Sequence, residues 1–234
     1  MLHTETVEAG TLALIKRLSQ DAALHNFDLV GGTALSLQLG HRKSIDLDFF
    51  STRPFDARAT ARLLSGRHQA ADIVASTNTL LTTIDGIKTT FISHQYPMVG
   101  RLDESDGLRL ASLEDIGAMK LNAIVNNGRR LKDYVDMHFL LKEKNLDQLL
   151  NAYTAKYSDA SPDIAKRALL YHKDIRFDTR IDLTNGQFNW ADVVKRLKEA
   201  VAHPNRAFQD IKMGGVVERK QEENARRIKK GRNR

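Results

Sequence analysis

Asp46 and Asp48 lie two residues apart in Ser44-Ile45-Asp46-Leu47-Asp48-Phe49-Phe50. On a β-strand such residues share one face, roughly 6–7 Å apart. Two carboxylates so placed repel each other unless a cation lies between them. Mg²⁺ suits the role, because it favours one or two carboxylates and takes its other ligands from water and substrate phosphates. Upstream, Gly31-Gly32-Thr33 follows the apolar run Phe27 to Val30 and opens a short helical stretch, Thr33 to Leu39, that Gly40 ends. Glycines at a helix start offer bare backbone N–H groups to an anion. Thr33 can cap that helix or bond a phosphate oxygen. Arg42 can hold a phosphate or orient a carboxylate, and Ser44 shares the strand face of Asp46. A phosphate cradle beside a metal-binding strand is the chemistry this segment proposes.

These residues need a scaffold. Residues 4 to 24 read as a first helix, with Leu12, Ile15, Leu18 and Ala22 at helical spacing. The strand–glycine–helix–strand unit follows, its second strand running Ile45 to Phe50 with Ile45, Leu47 and Phe49 on the buried face. A helix is expected near Phe55 to Leu64, then strands Thr79 to Ile84 and Ile87 to Ser93 around an Asp85-Gly86 hairpin turn. From Arg109 the pattern turns helical. Ser112 is an N-cap with an acid three residues on, and its helix runs to about Asn127. Gly128 breaks it, and further helices fit Arg130 to Lys144, Leu146 to Tyr157, Pro162 to His172 and Trp190 to Ala202. The expected fold is α/β: a mixed sheet with flanking helices over residues 1–108, then a helical part over 109–213 that completes the cleft, then a basic tail over 214–234.

Composition narrows the class. The chain has 234 residues, 41% hydrophobic and 28% charged, with no cysteine, which excludes disulfides and thiolate–zinc sites and fits a cytoplasmic protein. No apolar run reaches the ~20 residues that cross a bilayer. Net charge is +7, and residues 214–234 carry eight Lys/Arg against three Glu, net +5, leaving +2 for the rest. Such a tail attracts nucleic acid by counterion release. The eight histidines show no His-x-x-x-His pair and are read as structural.

The segment Gly31-Gly32-Thr33 with Arg42-x-Ser44-x-Asp46-x-Asp48 resembles the nucleotidyltransferase superfamily of the DNA polymerase β type, and more narrowly the AbiEii/AbiGii toxin family of type IV toxin–antitoxin and abortive-infection systems. The second signature of that group, a lysine helix followed by an Arg/Asp helix, is matched by Lys120-Leu121-Asn122-Ala123-Ile124 and Arg129-Arg130-Leu131-Lys132-Asp133-Tyr134-Val135-Asp136. The resemblance organises roughly residues 25 to 145. It implies transfer of a nucleoside monophosphate from an NTP to an acceptor hydroxyl with Mg²⁺ or Mn²⁺. The acceptor it implies is a tRNA 3′ end or other RNA, and it also implies a cognate antitoxin. The superfamily often has a third carboxylate on a later strand. Here Ile87 to Ser93 carries no acid, so a second metal is weakly held or uses a later residue such as Asp133.

Within that resemblance Asp46 and Asp48 are the metal ligands, and Gly31, Gly32, Thr33, Arg42 and Ser44 surround the substrate phosphates. Lys120 lies among Ile116, Met119, Ala123 and Ile124 on an apolar helix stripe, so it needs a partner; an NTP phosphate or Asp133 would serve. Asp133 orients Lys120 or acts as base towards the acceptor hydroxyl. Asp136 shares its helix face and is expected to pair with Arg129 or Arg130. Arg130 and Lys132 are candidates for NTP or RNA phosphates. Two other readings use the same core: a nucleotidyltransferase acting on small-molecule antibiotics, and a non-catalytic RNA- or partner-binding module.

Overall fold

The computed structural model describes residues 1–208; residues 209–213 and the basic tail expected over 214–234 lie outside them. One seven-stranded sheet is built from β1 (Asp28–Val30), β2 (Leu47–Ser51), β3 (Ala71–Ser76), β4 (Thr79–Ile84), β5 (Ile87–Ser93), β6 (Asp103–Ser105) and β7 (Leu108–Leu110). Their order is β3-β4-β5-β2-β1-β7-β6. β2 lies centrally, antiparallel to β1 and parallel to β5, with Asp48 opposite Val30 on one side and Thr90 on the other. The β4–β5 hairpin turns at Asp85 (φ 53°) and Gly86 (φ 78°), both in the left-handed region that a two-residue type I′ turn requires. The sheet continues through Leu110, because β7 pairs in parallel with β1.

Period-two burial sets the faces. On β2, Leu47, Phe49 and Ser51 are buried while Asp48 and Phe50 point the other way. Phe49 stacks on Phe91 at 5.2 Å, and Phe27 meets Phe91 edge-on at 5.1 Å, so the aromatic core lies behind the strand. Two expectations fail here. Asp46 precedes the strand, which begins at Leu47, and Ile45 is exposed, because the chain between Arg42 and Asp46 pairs with other segments instead. The first helix is also shorter than 4–24: α1 spans Ala9–Gln20, flanked by 3₁₀ turns at Thr4–Thr6 and Ala22–Leu24. Asp21 accepts from Ala23 N–H and caps the second turn, which stops α1 there.

α2 (Gly31–Leu39) and α3 (Ala57–His68) flank the sheet; α4 (Leu113–Asn126), α5 (Leu131–Glu143), α6 (Leu146–Lys156), α7 (Pro162–Leu170) and α8 (Trp190–Ala202) form the helical part. Ser112 caps α4 by accepting from Asp115 N–H at 3.0 Å. α6 opens with a capping box between Asn145 and Gln148. Among the described residues, no helix is long and apolar enough to cross a membrane.

A buried ion pair fastens the sheet to these helices. Lys156 Nζ lies 2.8 Å from Asp115 Oδ1 and donates to the Pro97 carbonyl at 2.7 Å; neither side chain is exposed. Asp115 also accepts from Val99 N–H, Gly100 N–H and the Ser112 hydroxyl. Burial alone would raise its carboxyl, but Lys156 and these donors hold it below the usual range. The loop after β5 is thereby tied to the start of α4 and the end of α6. Removing one member of a buried pair strands the other, a loss of about 3–5 kcal/mol. Lys156→Met is expected to fall in that range in urea unfolding, and a loss near zero would show the clamp to be dispensable.

Candidate active site

The sheet side of the site begins where β1 passes into α2. Gly31 has φ +70°, and a Cβ there would stand 2.7 Å from Asp48 Oδ2; a Cβ on Gly32 would stand 2.5 Å from the Arg42 guanidinium. Both glycines are thus required by close approach as well as by backbone shape. The helix begins at Gly31, two residues before the expected Thr33, so the glycine N–H groups belong to its open first turn. Thr33 Oγ1 donates to the Asp46 carbonyl at 2.5 Å and lies 2.9 Å from Ser44 Oγ, which can donate to it, and this pins the chain that carries both aspartates. Thr33 is therefore occupied internally.

Burial pushes the Asp48 carboxyl above its ordinary range; the charge of Lys120 and a hydrogen bond from Thr90 oppose this, and Asp46 adds to the rise. Among the described residues no cation lies within ion-pair distance of Asp48. A part-buried carboxylate beside a second carboxylate, with no cation in contact, suits a divalent ion. Among the described residues no cluster of three or more His, Asp or Glu is placed to hold a metal, so further ligands would come from phosphate and water. Thr90 occupies the position on β5 directly beside Asp48, and β5 carries no acid.

The helical side is a buried charge network. Arg42 grips Asp136 with two bonds, Nε to Oδ1 at 2.7 Å and a terminal nitrogen to Oδ2 at 3.0 Å. Lys120 Nζ reaches Asp136 Oδ2 at 2.6 Å and Asp133 Oδ1 at 2.7 Å. His41 Nε2 lies 3.0 Å from Asp136 Oδ1. Burial holds the His41 imidazole below its usual pKa, so the neutral ring donates through Nε2–H. Burial opposes the charges of Arg42, Lys120 and Asp136. It would raise the Asp136 carboxyl, yet Arg42, Lys120 and His41 hold it well below the usual range. It would lower the Lys120 ammonium, yet Asp136 and Asp133 raise it.

Sequence spacing assigned Asp136 to Arg129 or Arg130; the structure gives it Arg42, 94 positions away. Arg42 is 3% exposed. Its guanidinium is committed to orienting a carboxylate, and the phosphate role considered for it has no access. Residues 182–184 cover it: Lys43 N–H bonds the Asp182 carbonyl and Thr184 N–H bonds the His41 carbonyl.

The two sides meet at a cleft of about 410 Å³ whose lining includes Gly31, Gly32, Asp48, Lys120, Arg130 and Asp133. Asp46 and Ser44 border the segment but do not line the cleft; Asp136 and Arg42 stand behind Lys120. Asp133 Oδ2 is buried with no hydrogen-bond partner, and exposed Arg130 lies 3.6 Å from it. At the opposite end, Phe50, Ile92, Met119, His94 and Tyr157 make an apolar wall. Burial and the charge of Lys156 lower His94 to about 4, so its ring is neutral, and it contacts the Tyr157 hydroxyl at 3.1 Å. Sequence reasoning set His94 aside as structural and passed over Phe50 and Tyr157. The available signal was β2 alternation, which puts Phe50 on the face of Asp48.

The network fixes a pH dependence. A group whose folded pKa is depressed contributes stability above its unfolded value and loses it as pH falls towards the folded value. Stability is therefore expected to fall below about 6.5 as His41 must charge, and again below 3.8 on account of Asp136. In chemical denaturation across pH, Asp136→Asn should be weaker at neutral pH and have a shallower limb below 3.8; an unchanged limb would contradict the network. Gly32→Ala, which drives a methyl into Arg42, should lower the melting temperature, and Arg42→Met should cost about 3–5 kcal/mol.

The chain matches the family described as nucleotidyl transferase AbiEii toxin, Type IV TA system, over residues 13–100 and 85–213. It is 31% identical over 183 residues to an uncharacterized protein of Aquifex aeolicus strain VF5, covering 76% of this chain and 87% of that one. Its fold is similar to the crystal structure of a Helicobacter pylori protein assigned as a nucleotidyltransferase, with TM-score 0.52 and 22% identity over 83% of this chain and 94% of that one. The chain belongs to the AbiEii family of nucleotidyl transferase toxins and is an enzyme of nucleotidyl transfer.

Proposed function

We propose that the chain transfers a nucleoside monophosphate from an NTP to the 3′-terminal hydroxyl of an RNA, tRNA being the preferred acceptor, and does so as the toxin of a type IV toxin–antitoxin pair in the cytoplasm. The observation that carries the reading is convergence: Gly31, Gly32 and Asp48 from the sheet and Lys120, Asp133 and Arg130 from the helices border one cleft. Residues 1–108 would supply the nucleotide-binding part and residues 109–213 would close it.

In this reading the triphosphate lies between the open N-terminal turn of α2 and the Lys120 ammonium, and the base packs towards Phe50, His94 and Tyr157. Asp46 and Asp48 would hold Mg²⁺ or Mn²⁺, which when bound neutralises phosphate charge. Asp136 and Arg42 keep Lys120 aimed at the cleft. The unpartnered Asp133 Oδ2 accepts the proton of the attacking hydroxyl. The acceptor oxygen forms its bond to the α-phosphorus, the bond to the bridging oxygen of the β-phosphate breaks, and pyrophosphate leaves. Catalysis is then positioning and charge neutralisation.

One observation favours a second reading. Thr90 beside Asp48 leaves two carboxylates where the superfamily often has three, as a non-catalytic RNA- or partner-binding module would. The small-molecule alternative is less supported: an acid-lined pocket would favour cationic antibiotics, whereas this cleft balances Asp48 and Asp133 against Lys120 and Arg130 in a chain of net charge +7.

The test is label transfer from each α-labelled NTP to total tRNA with Mg²⁺. Wild-type protein is expected to label tRNA, and Asp48→Ala to lose at least about 100-fold, the scale of several kcal/mol of metal-assisted stabilisation. Label on a small molecule would move the acceptor. No transfer and no calorimetric NTP binding would leave the binding module.

A further inference from the structure

The turn joining α4 to α5, residues 127–130, borders more than the catalytic cleft. On its outer side lies a basin of about 420 Å³ lined by Arg129, Arg130, Lys132 and Arg176, with Asp178 its one acid. Arg176 is brought there by the backbone: its N–H bonds the Arg129 carbonyl at 2.9 Å, and residues 130 and 176 form a parallel bridge. Among the described residues, Arg129, Lys132 and Arg176 have no carboxylate within ion-pair distance. Four cations from two segments face one acid around this hollow, and since Arg130 also leans on Asp133, the excess positive charge rests on Arg129, Lys132 and Arg176 and favours a further anion. The basin shares Asn127 and Arg130 with the catalytic cleft. It shares Asn127 and Arg129 with a larger groove of about 920 Å³ along α7, where Arg167 and Tyr171 stand. Tyr171 is 49% exposed.

We propose that basin and groove form one track for the single-stranded end of the acceptor. Its phosphates lie on Arg129, Lys132 and Arg176, a base stacks on Tyr171, and the terminal hydroxyl passes Arg130 into the cleft. The proposal rests on the transferase reading, in which a polynucleotide end must reach the α-phosphate. An exposed aromatic in a groove that also carries Arg129 and Arg167 against one acid, Asp174, and that shares Asn126 and Asn127 with the cleft, matches the stacking and charge that hold single strands. An acidic protein partner would need the charge but neither the ring nor the continuity.

The test uses the full chain and a fluorescein-labelled single-stranded RNA of about 12 nucleotides, with anisotropy read between roughly 50 and 200 mM salt. The triple variant Arg129→Ala/Lys132→Ala/Arg176→Ala is expected to weaken binding and flatten the slope of log K against log salt by about 2, at roughly 0.7 per lost phosphate contact. The charge of residues 214–234 is common to both proteins and cancels in the difference. Tyr171→Ala should weaken binding about 5- to 150-fold with the slope unchanged, and Tyr171→Phe should restore it. Calorimetric binding of Mg–NTP should be unaltered in all variants. If wild type binds no NTP while RNA binding still follows the basin, the track stands and the transferase reading falls. Unchanged affinity and slope in the triple variant would overturn the track. So would basin-dependent binding of polyglutamate with none of RNA, which would assign the surface to an acidic protein.

Discussion

The carboxylate of Asp136 is the point on which the molecule turns. It is fully buried and takes Arg42 from the segment after α2, Lys120 from α4 and His41 beside Arg42. A buried carboxylate is tolerable only when such partners outweigh its lost hydration. Here three partners from two distant parts of the chain satisfy one group, and so the sheet and the helical part are locked in one register. Lys120 cannot swing to solvent, because Asp133 and Asp136 hold it from the same side. Gly32 lacks a side chain because Arg42 passes against it on its way to Asp136. The geometry of the cleft follows from a demand for charge balance several residues behind it.

The second buried pair, Asp115 with Lys156, governs the other end. It fixes the loop after β5, and that loop carries His94 and Tyr96 against Tyr157. The apolar wall of the cleft is thereby set by a separate device from its polar wall. Ionic contacts thus stand at both ends of the cleft, with an aromatic core behind β2.

Local pattern in the chain revealed the elements whose signals are local. Asp85-Gly86 marked the hairpin, and strands Thr79–Ile84 and Ile87–Ser93 follow the expected bounds, as does helix Trp190–Ala202. β3 escaped notice because most of it is exposed and so lacks alternation; β6 and β7 are three residues each, too short for a period to register. The site divided the same way. Gly31, Gly32 and Asp48 stand out by type and spacing, Lys120, Asp133 and Arg130 through the family resemblance, and all line one cleft. What spacing could not convey was pairing across the chain: Arg42 with Asp136, or Thr90 beside Asp48. Such contacts come from tertiary packing, and a helix-face argument wrongly favoured near neighbours for Asp136. Lys156 was legible in principle, since it shares a helix face with Leu149, Ala152 and Tyr153 and so needed a buried partner.

The spread of the charge network along the sequence also sets when the enzyme can exist. Synthesis proceeds from the N-terminus, and the first part of the sheet emerges with Asp46, Asp48 and Arg42 long before Asp136. Until α5 has been made, Arg42 and Lys120 have no shared carboxylate to draw them together, and the cleft has only one wall. The polar side of the cleft cannot assemble until Asp136 has been made, and the apolar wall waits longer still, for Tyr157.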